Sequence, residues 1–301
     1  MTLPESVKNF VRQVFRDCNL KVSNKLSKHP ATWETSLDSS LIEHLSNYSS
    51  PLKIEKSWLV RFDTHYLGGM RHWNGWEIAD IGVLIIFRKN GETVKSKICL
   101  LQSKRLYSNE INPDEDNQID YIIGFGRLHE SDDYYKGIVA PRTLSFTESS
   151  KYSAVNVKDR QWKAIGEYMN RTTIPVHYLF YNPCRIPHYI DMPLTADINY
   201  TSFSVGARVL PAKVLFKRFE TENKGYKPTY GELKYTLEAP FNEPSNEGGW
   251  RLEDFVADQL ISCKEGYVVK GPEDTNLFEV FNRRSGPIAS AFSITFDLTE
   301  G

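Results

Sequence analysis

The residues of this 301-residue chain best suited to chemistry lie in one stretch, residues 76–107, reading WEIADIGVLIIFRKNGETVKSKICLLQSKRLY. Two apolar runs flank a Lys-Asn-Gly-Glu turn, the sequence form of a β-hairpin. Asp80 interrupts the first run, and the second ends in Gln102-Ser103-Lys104-Arg105. Side chains alternate along a strand, so Gln102 and Lys104 share one face and Ser103 takes the other. A hairpin can set Asp80 on the neighbouring strand against that pair. A carboxylate, a carboxamide and an ammonium then converge at the edge of a buried sheet. The first two offer oxygens to a hard divalent cation, and the third neutralises charge growing on a reacting oxygen.

This pattern, Asp80 followed on the next strand by Gln102-Ser103-Lys104, resembles the PD-(D/E)XK nuclease superfamily. The resemblance implies an α/β fold, a mixed central sheet flanked by helices (a restriction-endonuclease-like core), over residues 1–181. Residues 182–301 then form an α+β extension that completes a substrate cleft or builds an oligomer. It further implies metal-dependent cleavage of nucleic acid, DNA first, with Mg²⁺ or Mn²⁺ as cofactor, in restriction or anti-phage defence. Asp80, the Gln102 carbonyl oxygen, the Ser103 backbone carbonyl and an acid on a preceding helix are the implied ligands. Lys104 is the residue that orients the attacking water or stabilises the transition state. Glu34 is the favoured helix acid, with Asp38 as the other choice. Gln102 stands where an acid is commoner and brings no charge, so another carboxylate must supply it. The alternative is a nuclease-like binding or assembly subunit of a larger defence complex, without turnover.

The elements that must position these groups are readable by periodicity. Val7, Phe10, Val11, Val14 and Phe15 form a helical stripe over residues 4–18. Residues 21–30 read as a polar loop. Leu37, Leu41, Ile42 and Leu45 predict a second helix over 35–48, and residues 53–63 a first strand. A helix over 159–170 and an apolar strand over 175–181 complete a βαβ crossover, which makes that strand parallel to the second arm of the hairpin. Gln161 lies on the crossover helix, where a surface role is the simpler reading. Further on, residues 232–237 suggest a strand, 250–263 a helix, and the tail another strand.

Composition narrows the remaining possibilities. A net charge of −1 provides no global basic field, so nucleic acid must be met by a local patch. Arg105, Arg71, His72, Arg283 and Arg284 are the candidates for that contact. Cys18, Cys99, Cys184 and Cys263 form no CxxC pair, which speaks against a zinc ribbon and for a reducing, cytoplasmic setting. The sequence shows no apolar run near the ~20 residues of a membrane span. It also lacks a GxSxG elbow, a phosphate-binding P-loop, HExxH and GxGxxG, which removes the main rival enzyme classes. His177 and His188 are isolated in sequence.

Overall fold

A computed structural model describes residues 2–55, 57–66, 78–111, 142–192, 194, 196–238, 248–282 and 286–299. Its centre is a nine-stranded mixed sheet flanked by helices. The spatial order is β1 (Leu52–Glu55), β2 (Trp58–Tyr66), β12 (Ile288–Leu298), β3 (Ala79–Lys89), β4 (Glu92–Arg105), β7 (Val176–Tyr181), β9 (Arg208–Pro211) and β10 (Trp250–Arg251). A short β11 (Tyr267–Val268) adds to the outer half of β4. β5 (Asn109–Ile111), β6 (Arg142–Phe146) and β8 (His188–Met192) make a separate three-stranded sheet.

The predicted hairpin is present. Asn90 and Gly91 both take positive φ (52° and 83°), the conformation a tight two-residue turn requires. The register sets Ile81 against Leu101 and Val83 against Cys99. β7 runs parallel to β4, with Gln102 opposite Tyr178 and Lys104 opposite Phe180, as the crossover predicts. The last strand, β12, lies between β2 and β3, parallel to β3. The sheet therefore takes strands from both sides of position 181.

Two helices cover one face. α1 (Glu5–Lys28) runs a full turn-set beyond the sequence expectation, because Val22 and Leu26 continue the stripe of Val7, Val11, Val14 and Cys18, all buried. Residues 21–28 are therefore helix, not loop. Their polar members have partners: Asn24 donates to Tyr200 O and accepts the Tyr200 N–H, and Ser27 Oγ accepts the Cys184 N–H. Phe15 of α1 sits among Phe62 and Phe292. α2 (Glu34–Ser46) buries Leu37, Leu41, Ile42 and Leu45 beside it.

The opposite face carries α3 (Arg160–Thr172), bounded by two local signals. Asp159 accepts the Trp162 N–H as N-cap, and Thr173 closes the helix at φ 60°. α4 (Ala212–Arg218) packs alongside, its Phe216 ring 4.2 Å from Trp162 and resting over Gly166. Residues 230–238 form a helix, α5 (Tyr230–Glu238), rather than the expected strand. Tyr230, Leu233 and Leu237 are the buried positions, a spacing that suits a helix and not alternation. Residues 250–263 are also not one α-helix. They pass from β10 through a turn at Leu252–Asp254 into a π-helical segment, Phe255–Leu260. Among the described residues no helix is long and apolar enough to cross a membrane.

Candidate active site

β4 outruns its antiparallel partner, and the site is built on that difference. The ladder with β3 ends at Ile81 and Leu101, while β4 continues to Arg105 alongside β7. Leu100 and Leu106 point their N–H groups at β7, so the N–H groups of Ser103 and Arg105 point the other way, where β3 has run out of ladder. Side chains supply what the missing strand does not. Ser103 N–H donates to Asp80 Oδ2 at 2.6 Å, and Arg105 N–H donates to Glu34 Oε1 at 3.0 Å. These two N–H groups are one strand repeat apart, roughly 6.7 Å. Asp80 and Glu34 therefore line the same open edge of β4.

Gln102 closes the notch. Its Nε2 donates to Asp80 Oδ2 at 2.5 Å and weakly to Ser103 O at 3.4 Å. Its Oε1 accepts from Gln161 Nε2 of α3 at 3.2 Å. Gln161 is thus part of the cluster, not a surface glutamine. Two positions into α3, beside the buried Trp162, it points inward with the core side of that helix.

Lys104 shares the Gln102 face, two residues along. It is 6% exposed, and among the described residues it has no hydrogen-bond or ion-pair partner. The expectation that Asp80 and Lys104 share a face holds by register: Ile81 opposes Leu101, which brings Asp80 to Gln102, and Lys104 follows at the same phase.

The other face of β4 is locked to α2. Asp38, 6% exposed, accepts from Ser103 Oγ at 2.6 Å and from Tyr181 OH at 2.7 Å. Burial, with the Asp38 carboxylate beside it, pushes the Tyr181 hydroxyl well above the usual phenol range and keeps it a donor. This separates the two helix acids: Asp38 is tied into the core beneath the strand, and Glu34 reaches the open edge. The Asp38–Ser103–Tyr181 lock had no sequence signal beyond the choice between two acids one helical turn apart.

Arg105 differs from expectation. It is 7% exposed, donates through Nη1 to Pro30 O at 2.6 Å and lies 3.7 Å over the Tyr107 ring. Odd positions of β4 face the helices, so Arg105 braces the loop before α2 and is withdrawn from any surface contact. Arg71, His72, Arg283 and Arg284 lie outside the described residues.

The donor set can be weighed against a metal. As placed, Asp80 Oδ2 and the Ser103 carbonyl face one point, and an amide N–H occupies it. Rotating the Gln102 amide by half a turn exchanges its nitrogen and oxygen, which brings three oxygens together. The Gln161 amide can turn in step and preserve their bond, since each carries both a donor and an acceptor. An oxygen-only set with few charges suits Mg²⁺ or Mn²⁺, which keep several waters. Among the described residues no group of three or more His, Cys, Asp or Glu side chains is arranged to hold a metal.

A second polar cluster lies deeper on the α1/α2 face. His177 Nδ1 is 3.4 Å from Cys99 Sγ, and its Nε2 is 3.3 Å from Glu265 Oε2. The latter contact is an ion pair when the imidazole is protonated, and it is too poorly aligned to be a hydrogen bond. Lys97, fully buried, donates to the carbonyls of Leu260 and Glu265. His177 is isolated in sequence but not in space. No protein-family model, curated protein or solved structure matches this chain.

Proposed function

We propose that the chain is a metal-dependent nuclease with a restriction-endonuclease-like core, hydrolysing phosphodiester bonds at the Asp80–Gln102–Lys104 notch. The observation that carries this reading is Lys104: a lysine 6% exposed, with no partner among the described residues, one strand repeat beyond Gln102 and facing the side of α3. An anionic substrate oxygen is the counter-charge it lacks. A divalent ion held by Asp80, the Ser103 carbonyl and Gln102, with Glu34 contributing from the strand edge, would lower the pKa of a bound water and polarise the phosphoryl group. Lys104 stabilises charge on the phosphoryl oxygens or holds the attacking water. Asp38 and Tyr181 fix the strand from below, and Gln161 holds the Gln102 amide. DNA is the substrate the resemblance favours, and restriction or anti-phage defence the setting.

The test is plasmid, single-stranded DNA and RNA cleavage in Mg²⁺, Mn²⁺ and EDTA, with Asp80→Ala and Lys104→Ala compared at unchanged circular dichroism. Each variant is expected to lose at least 100-fold in rate, the order seen when one preorganised electrostatic group is removed. Cleavage that persists in EDTA, or in both variants, overturns the reading. One specific observation favours a second: the Gln102 amide already satisfies Asp80 and fills the notch. On that view Asp80 only caps the end of a ladder, and the protein binds nucleic acid or serves as a subunit of a larger assembly without turnover. Binding without cleavage under every metal condition would support it.

A further inference from the structure

Charge is unevenly distributed over this molecule. Residues 151–172 and 212–227 hold ten Lys and Arg against four Asp and Glu, net +6 in a chain of net −1, so the other residues together carry −7. These segments form one surface. α4 packs on α3 through Phe216 and Trp162. The loop after α4 pairs with the approach to α3: Gly225 N–H donates to Val157 O, Val157 N–H to Tyr226 O, and Lys158 Nζ to Glu222 O. Arg160, Lys163, Lys213, Lys217, Lys224 and Lys227 are all exposed on it. At its middle is a hollow of about 300 Å³ with Trp162 and Phe216 as floor and Lys158, Lys217 and the carboxylate Glu220 at its walls. At its inner end Gln161 touches Gln102 of the notch.

Resting on the hydrolytic reading of that notch, we propose that this α3–α4 surface is the track for single-stranded nucleic acid. The lysines meet the phosphates and the aromatic hollow accepts a base. Clustered cations on a chain without net positive charge give a local field of the kind a polyphosphate backbone follows. An aromatic floor between cations is how sequence-tolerant single-strand binders hold a base, because every base has a π-face. The track begins on the helix that carries Gln161, so a strand lying along it reaches the Lys104 side of β4 without crossing the sheet. Arg105, buried on the other face, has no part in it.

The test is fluorescence anisotropy of the full chain with labelled oligo(dT) in EDTA, which removes turnover from the readout. The triple change Lys163→Glu, Lys213→Glu, Lys217→Glu should weaken binding at least tenfold. It should also flatten the slope of log K against log[salt] by about 2, at roughly 0.7 per lost phosphate contact. The same change in charge at Lys21, Lys53 and Lys95, exposed elsewhere, should leave the slope within about 0.5 of the parent, as no contact is lost. Phe216→Leu, which keeps apolar bulk without the ring, should weaken oligo(dT) about tenfold, at the low end of the stacking range, and leave an abasic oligomer unchanged. Parent-like binding by the triple variant overturns the track, as does polyglutamate competing as well as the oligonucleotide. Equal loss for abasic and normal strands in Phe216→Leu overturns the base-holding hollow. Because binding is read without cleavage, a passing track with no hydrolysis in Mg²⁺ would sink the catalytic reading alone.

Discussion

Replacing Gln102 by glutamate puts a second carboxylate where the amide now donates to Asp80. Gln102 is 2% exposed and its Nε2 lies 2.5 Å from Asp80 Oδ2. The substitution keeps the shape, removes a hydrogen bond and sets two like charges together. At about 4 Å and an effective dielectric near 20, their repulsion is about 4 kcal/mol. For a chain of this length the unfolding entropy, about 2.1 cal/mol/K per residue, converts that to a fall in Tm of roughly 6 °C at pH 8 in EDTA. A divalent ion reverses the sign, since the paired carboxylates become a better ligand set than aspartate and amide. At a metal concentration 100 times Kd the gain is about 2.7 kcal/mol, or roughly 4 °C on the same conversion. Differential scanning fluorimetry of parent and Gln102→Glu, in EDTA and in Mg²⁺, reads both effects. A variant destabilised in EDTA and restored by Mg²⁺ fits the notch as a cation site. If Mg²⁺ leaves its Tm unchanged, no ion enters between these side chains and the metal chemistry proposed here is refuted.

Three other outcomes follow from buried polar groups. Asp38→Ala strands the hydroxyls of Ser103 and Tyr181 without their acceptor. At about 1–3 kcal/mol for each orphaned donor, it should cost roughly 2–6 kcal/mol in a guanidinium melt. Adding Tyr181→Phe to Asp38→Ala should recover part of that loss by removing one orphan, and a further loss would contradict the lock. Burial alone would lower the His177 pKa, but Cys99 and Glu265 outweigh it and raise it to about 9, while Glu265 is held below its ordinary value by His177 and Lys97. A raised histidine stabilises the fold fully below its unfolded pKa of about 6.5 and loses that contribution as pH rises through about 9. Stability should therefore decline between pH 6.5 and 9, and His177→Gln should flatten that limb; a parent and variant with parallel pH profiles would remove the ion pair from the account.

The order of elements was legible because most of them are amphipathic in their own right. The hairpin of β3 and β4 announces itself by an Asn-Gly turn between two apolar runs, and α2 and α3 by their stripes. The same arithmetic fixed the shared face of Asp80, Gln102 and Lys104, since a period of two and a tight turn leave little freedom in register. Where the sequence reading failed, a local pattern was ambiguous. Residues 21–28 look polar because Asn24 and Ser27 find partners far along the chain, at Tyr200 and Cys184. Residues 230–238 are too few for one periodicity to exclude the other.

By itself, then, the sequence determined which side chains stand at the end of the central hairpin, because alternation is a property of the backbone. Only the tertiary structure decided what those side chains meet. β12 enters the middle of the sheet from the far end of the chain. α2 brings Glu34 to an edge left open by the shortness of β3 and turns Asp38 into the core. α3 delivers Gln161 to Gln102. Each of these is a contact between segments dozens to hundreds of residues apart, set by which apolar faces pack together, and no local spacing encodes it.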